Sequence, residues 1–168
     1  MHRHQHKAPV VETGIGDIDV GNPEMDRDHQ ALARLIEKVG DVCRHSHSSD
    51  PECNCDKCPE GKPKLCFDAL TDIGHEIMVQ ILDHFHHEDE LMKSLPRDRS
   101  TREHCAEHRR EHVRFSSRYN KAVAQIDARH PVIGLRTVNA FIFDWIRGHI
   151  LEYDMKLATL LKVRSQDR

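Results

Sequence analysis

Four stretches of the chain carry apolar residues at three- and four-residue steps, and none carries the strict alternation of a half-buried strand. The first runs through Met25, His29, Leu32, Leu35, Ile36 and Val39, and the second through Phe67, Leu70, Ile73, Ile77, Ile81, His84, Glu88 and Leu91. A third holds His108, His112, Phe115, Tyr119, Ala122 and Ile126, and a fourth Leu135, Val138, Ile142, Trp145, His149 and Leu157. Each is one face of a helix, so the expected fold class is all-α: an up-down-up-down antiparallel four-helix bundle whose short later links join neighbouring helices. At 168 residues the chain has room for one core and no second full domain.

Punctuation sets the expected boundaries. Pro23 followed by Glu24, Asp26 and Asp28 suits the start of the first helix, which should end near Cys43. Residues 1–22, with Pro9, Gly14, Gly16 and Gly21, read as an extended N-terminal arm, leaving 23–165 for the bundle. Residues 44–65 hold Pro51, Pro59, Gly61 and Pro63 and read as an inserted Cys-rich loop, with the second helix expected from Cys66 to Leu95. Ser100 to Glu103 has the spacing of a capping box and is expected to open the third helix; Pro131 is expected to open the fourth.

The inner stripes should be apolar, yet every one contains histidine or carboxylate. A buried, unpaired carboxylate costs several kcal/mol, roughly, so such groups go inside only when paired or metal-bound. The chain has 15 histidines, and imidazole is the commonest protein ligand for transition metals. His84 and Glu88 are one helical turn apart, as are His108 and His112, so each pair can chelate; His29 adds a ligand from the first helix and His149 and Asp154 add two from the fourth. A lone His29 is more often a hydrogen-bonded core residue, and one four-residue histidine pair is often a surface accident, the reading expected of His104. Ligand types on all four inner stripes at once favour a metal site. Imidazole and carboxylate without thiolate suit iron, manganese or zinc, and five histidines exceed the needs of one four-coordinate zinc.

With these ligand types in hand, the motifs around them are specific. Asp17 to His29, His84-Phe85-His86-His87-Glu88 with Leu91-Met92, Glu107 to Phe115, and Asp144 to Ile150 with Asp154 beyond resemble, in order, the four ligand motifs of the hemerythrin family, specifically its bacterial single-domain form. The resemblance covers about residues 17–163. It implies a non-haem di-iron centre, with His108, His112 and His149 on one iron, His29 and His84 on the other, and Glu88 and Asp154 bridging together with an oxo or hydroxo group. It implies reversible O2 binding at the two-histidine iron, for storage, delivery or sensing, inside a dry O2 pocket matched here by Leu32, Phe85, Trp145, Ile146 and Ile150. The alternatives are a di-iron enzyme or repair protein handling peroxide or nitric oxide, and iron storage or donation; an O2-binding protein is favoured over an enzyme. The family's early Trp is missing, and the third motif arrives about one turn late with three stepped histidines. His108 and His112 are preferred over His104 because Phe115, three residues after His112, suits the core, whereas Glu111, three after His108, does not.

The insert is not part of the family core. Cys53, Cys55, Cys58 and Cys66 approach the spacings used for zinc or iron-sulfur ligation, and a second metal site there stands open against a loop of solvent-exposed thiols. The net charge of -3 gives no nucleic-acid footprint, and no stretch reaches the roughly 20 apolar residues of a membrane span. The N-terminus lacks the apolar run of a secretory signal, so a cytoplasmic location is expected. Without a signalling domain of its own, a sensing role would require a separate protein partner.

Overall fold

The computed structural model describes residues 18–44, 55–56 and 58–166. The arm up to residue 17, Cys53 and most of the Cys-rich loop lie outside the described residues, as do the side chains of Cys43 and Leu135. The described part is helical, with no strand: α1 (Pro23–Arg44), α2 (Lys62–Lys93), α3 (Arg99–Val123), α4 (Pro131–His149), a π turn (Ile150–Asp154) and α5 (Met155–Gln166). His149, Ile150 and Met155 all keep right-handed helical angles, so α4, the π turn and α5 run on as one rod. Four helical rods therefore make the bundle, α1 lying along α2 and α3 along the α4 rod. Among the described residues no helix is long and apolar enough to cross a membrane.

The helix starts follow from local chemistry. Asn22 Oδ1 accepts the backbone N–H groups of Glu24 and Met25 at 3.0 and 3.3 Å, capping α1 ahead of Pro23. Asp26 accepts the N–H of Val20 at 2.9 Å and ties the lead-in segment to the same turn. Two starts differ from expectation. Helix α2 begins at Lys62, four residues before Cys66, because Pro63 sits in its first turn, where its missing N–H has no intrahelical partner, and Gly61 supplies the left-handed φ of 80° just before it. Helix α3 is capped by Asp98, which accepts the N–H of Thr101 at 3.0 Å, and not by Ser100. The expected capping-box partner, Glu103, is instead engaged by Arg99 at 2.8 Å.

The apolar stripes meet as the 3.6-residue period requires. Met25, Leu32 and Ile36 of α1, Ile77 and Ile81 of α2, Phe115 of α3, and Ile142, Ile150 and Leu157 of the last rod are all essentially inaccessible to water. The link between α3 and α4 is tight. A Cβ at Gly134 would stand 2.9 Å from Ile126 Cγ1 and 3.1 Å from Ile126 Cα, so the first turn of α4 can approach the end of α3 only without a side chain there. Alanine's helix propensity favours Gly134→Ala by up to about 1 kcal/mol, whereas overpacking costs about 1–3 kcal/mol. Since a backbone atom cannot swing aside, the substitution should lower the urea midpoint; a raised midpoint would show that this contact is loose.

Candidate metal centre

Each helix delivers its ligand types to one layer of the bundle. His29, His84, Glu88, His108, His112, His149 and Asp154 are all buried, and two overlapping groups of potential ligand atoms converge: Glu88, His108, His112 and His149, and His84, Glu88, His149 and Asp154. His29 joins through Asp154, its Nε2 lying 3.1 Å from Asp154 Oδ2, with its ring 5.0 Å from that of His84. His104, expected at the surface, is instead buried, yet it is in neither group; its ring stands 5.5 Å from that of His108.

The π turn explains why His149 and Asp154 share a face. In α geometry a residue five positions on lies about 140° around the axis, facing away from its predecessor. The wider turn over Ile150–Asp154 absorbs one residue, so both side chains point inward while Leu157 and Ala158 beyond remain in the core. Nothing in apolar periodicity signals this; the five-residue spacing within the fourth motif was the available clue.

The two oxygens of Asp154 face different partners. Oδ1 lies 3.3 Å from His108 Nε2 and 3.1 Å from His149 Nε2, whereas Oδ2 lies 3.1 Å from His29 and 3.8 Å from His84. Glu88 Oε2 approaches His112 at 3.1 Å, His108 at 3.3 Å and His84 at 3.5 Å. His149 Nε2 is 3.0 Å from His108 Nε2 and 3.1 Å from His112 Nε2. Nitrogens bound at right angles to one ion through bonds of about 2.1 Å would be about 3.0 Å apart. Both Glu88 oxygens and Asp154 Oδ1 are buried without a conventional hydrogen bond, as unmet ligand atoms would be. The donor set and its spacing thus fit a metal.

Protonation points the same way. Burial, and then the neighbouring His149 and His108, push His112 far below the ordinary imidazole range; burial lowers His149 against the pull of Asp154. These imidazoles are neutral and offer lone pairs, as metal ligation requires. Burial raises Glu88, and repulsion from Asp154 raises it further. Burial also pushes Asp154 upward, but His149, His108 and His29 together hold it well below the usual carboxylate range.

Aromatic rings clamp the imidazoles. Phe85 stacks on His112 with centroids 3.7 Å apart, and His149 is held between Trp145 at 4.4 Å and Tyr153 at 5.3 Å. Trp145 is half-buried and donates its Nε1–H to Glu111 at 3.0 Å, so Glu111 lies at the bundle edge while Phe115 fills the core. Leu32, Ile146 and Ile150 are fully buried. Two neighbours escaped the reading of the sequence: Tyr153, and Asp28, which accepts from His87 Nδ1 at 2.8 Å and stands 3.6 Å from His84 Nδ1. The clue for Asp28 was an acid and a histidine each one residue before a candidate ligand, on two helices that pack together.

Residues 20–161 match the hemerythrin HHE cation binding domain. The chain belongs to the hemerythrin family. No curated protein and no solved structure matches it. The Cys-rich turn stands apart from this hemerythrin centre. Cys55 is buried with a φ of 73°, its carbonyl accepts the N–H of Cys58 at 3.0 Å, and Asp56 meets His130 at 3.1 Å. Among the described residues no converging ligand group includes Cys55, Cys58 or Cys66, and Cys53 is not described.

The lowered imidazoles fix a pH dependence for metal-free protein. His112, His149 and His104, the last lowered to about 4 chiefly by burial, all titrate below their unfolded value of about 6.5. Below that pH the unfolded chain binds more protons, so their stabilisation is present above about 6.5 and lost as the pH falls. Glu88 and His87, the latter raised chiefly by its hydrogen bond to Asp28, act in the opposite sense, but they are two groups against three, and His87 is only slightly buried. In chelator, the urea midpoint should be lower at pH 5 than at pH 7.5; an unchanged or higher midpoint at pH 5 would contradict the neutral, buried state of these rings.

Proposed function

We propose that this hemerythrin domain holds two iron ions and binds O2 reversibly, within an up-down-up-down bundle acting in the reducing cytoplasm that its six cysteines suit. The division of the Asp154 oxygens between His108 and His149 on one side and His29 and His84 on the other is the observation that carries this reading. His108, His112 and His149 would hold one ion, His29 and His84 the other, with Glu88 and Asp154 between them. When bound, a ferrous pair supplies the two electrons that O2 takes up.

The chain's own part is to prepare and protect that pair. Burial keeps His112 and His149 neutral, and the stacking of Phe85, Trp145 and Tyr153 restricts ring rotation. Asp28 faces the second nitrogen of His84 and would favour the tautomer that leaves Nε2 available. Leu32, Ile146 and Ile150 exclude water from the layer and so suppress side reactions. Five imidazoles and two carboxylates favour O2 binding over the carboxylate-rich sites of oxidases and ferritin-like proteins.

Protein produced with iron should contain two iron ions per chain, and Glu88→Ala should lose most of them; one zinc or none in the wild type would overturn the assignment. His112→Ala should strip iron or abolish the optical change on oxygenation, while His104→Ala should leave both nearly intact. The adduct should form and dissociate over repeated cycles of O2 and argon. Immediate oxidation of the iron, with no recoverable ferrous form, would instead favour turnover of peroxide or another small substrate.

A further inference from the structure

The apolar cover that keeps water from the candidate ligand layer also keeps a reductant away from it. Leu32, Ile146 and Ile150 are fully buried, and the candidate ligands are buried with them. One side of the layer is built differently. Trp145 stacks on His149 with centroids 4.4 Å apart and planes 20° from parallel, Tyr153 stacks on His149 at 5.3 Å and 20°, and His104 on Tyr153 at 6.4 Å and 20°. Rings thus follow one another along the edge where the last rod meets α3, with a candidate ligand among them. Among the described residues, the rings that touch the five candidate imidazoles from outside are Phe85, His104, Trp145 and Tyr153. Phe85 and His104 are buried, and only Trp145 and Tyr153 are half-exposed.

An electron crosses atoms in contact far more readily than an open gap, and a ring stacked on an imidazole extends the reach of that imidazole towards solvent. The indole of Trp145 is fixed at the edge by its Nε1–H, which it donates to Glu111 at 3.0 Å. Trp145, His149 and Tyr153 step by four along one rod, so a single rigid element carries the whole contact. We propose that the stack of Trp145, His149 and Tyr153 is the electron entry point of the centre, through which an outer-sphere one-electron donor restores ferric iron to the ferrous form. Each donor is oxidised by one electron and each ferric ion reduced by one, so two donors restore the pair, and no bond forms or breaks at the rings. The inference rests on the di-iron reading above.

Stopped-flow reduction of the iron-loaded, oxidised full chain by reduced methyl viologen, a cation, tests it. Tyr153→Leu and Trp145→Leu should each slow reduction severalfold at unchanged iron content and midpoint potential, whereas Tyr153→Phe, which keeps the ring, should restore the wild-type rate. Should either leucine variant lose iron, Glu152→Lys decides, because Glu152 is exposed, next to Tyr153 in the chain and outside the stack. At low salt that change should slow the cationic donor by roughly twofold to fivefold and speed reduction by the anionic radical of dithionite by a similar factor. Asp72→Lys, on an exposed position about 18 Å along α2 from His84, should do neither. Leucine variants that keep iron and potential yet reduce at the wild-type rate would overturn the proposal, as would a charge change at Glu152 that acts no more than the one at Asp72. Either result with two iron ions per chain leaves the di-iron reading standing, whereas fewer than two in the wild type would overturn both.

Discussion

Glu88 and Asp154 are two fully buried carboxylates within reach of five imidazoles, and this concentration of polar groups constrains the whole molecule. In a low-dielectric interior two like charges repel strongly, so they separate in behaviour: Glu88 moves towards the neutral acid, while Asp154, closer to the imidazoles, holds its charge. The arrangement persists only if every helix keeps its rotational setting. A turn of one helix by a single residue would replace a ligand type with an apolar side chain and leave its partners buried and unmet. The apolar layers on either side, with Leu32, Ile36, Ile81, Phe115 and Ile142, hold those settings.

Helix existence and facing were legible because they depend on a period that repeats over many residues. Pro23 and Pro131 marked two starts correctly, since proline in a first turn is favourable for reasons local to that residue. The starts of α2 and α3 were not legible for the opposite reason: each depended on a choice between nearby competitors. Pro63 could end a loop or open a helix, and Asp98 and Ser100 are both competent caps. Which one wins is set by the path the chain takes into the bundle, and short-range pattern carries no record of that.

The clustered histidines and carboxylates were visible as polar intrusions in apolar stripes. Their immediate supports were harder to see. Asp28 and His87 lie far apart in sequence and form a contact across α1 and α2 only because His29 and Glu88, their neighbours, are brought to one layer. Tyr153 sits beside His149 because the π turn carries it round to the α3 side of the rod, next to His104 and His108. Pair contacts of this kind are consequences of packing, whereas the stripes are its cause.

The π turn also acts as a phase shifter for everything after it. Because it takes up one extra residue, the inward face of α5, with Leu157 and Ala158, is rotated by about 100° from where an uninterrupted α-helix would place it. The docking of the chain's last helix and the inward aim of Asp154 are therefore one geometric condition. Relaxation of that turn to α geometry would withdraw a carboxylate from the centre and unseat α5 in the same motion, coupling the occupancy of the core to the order of the C-terminal helix.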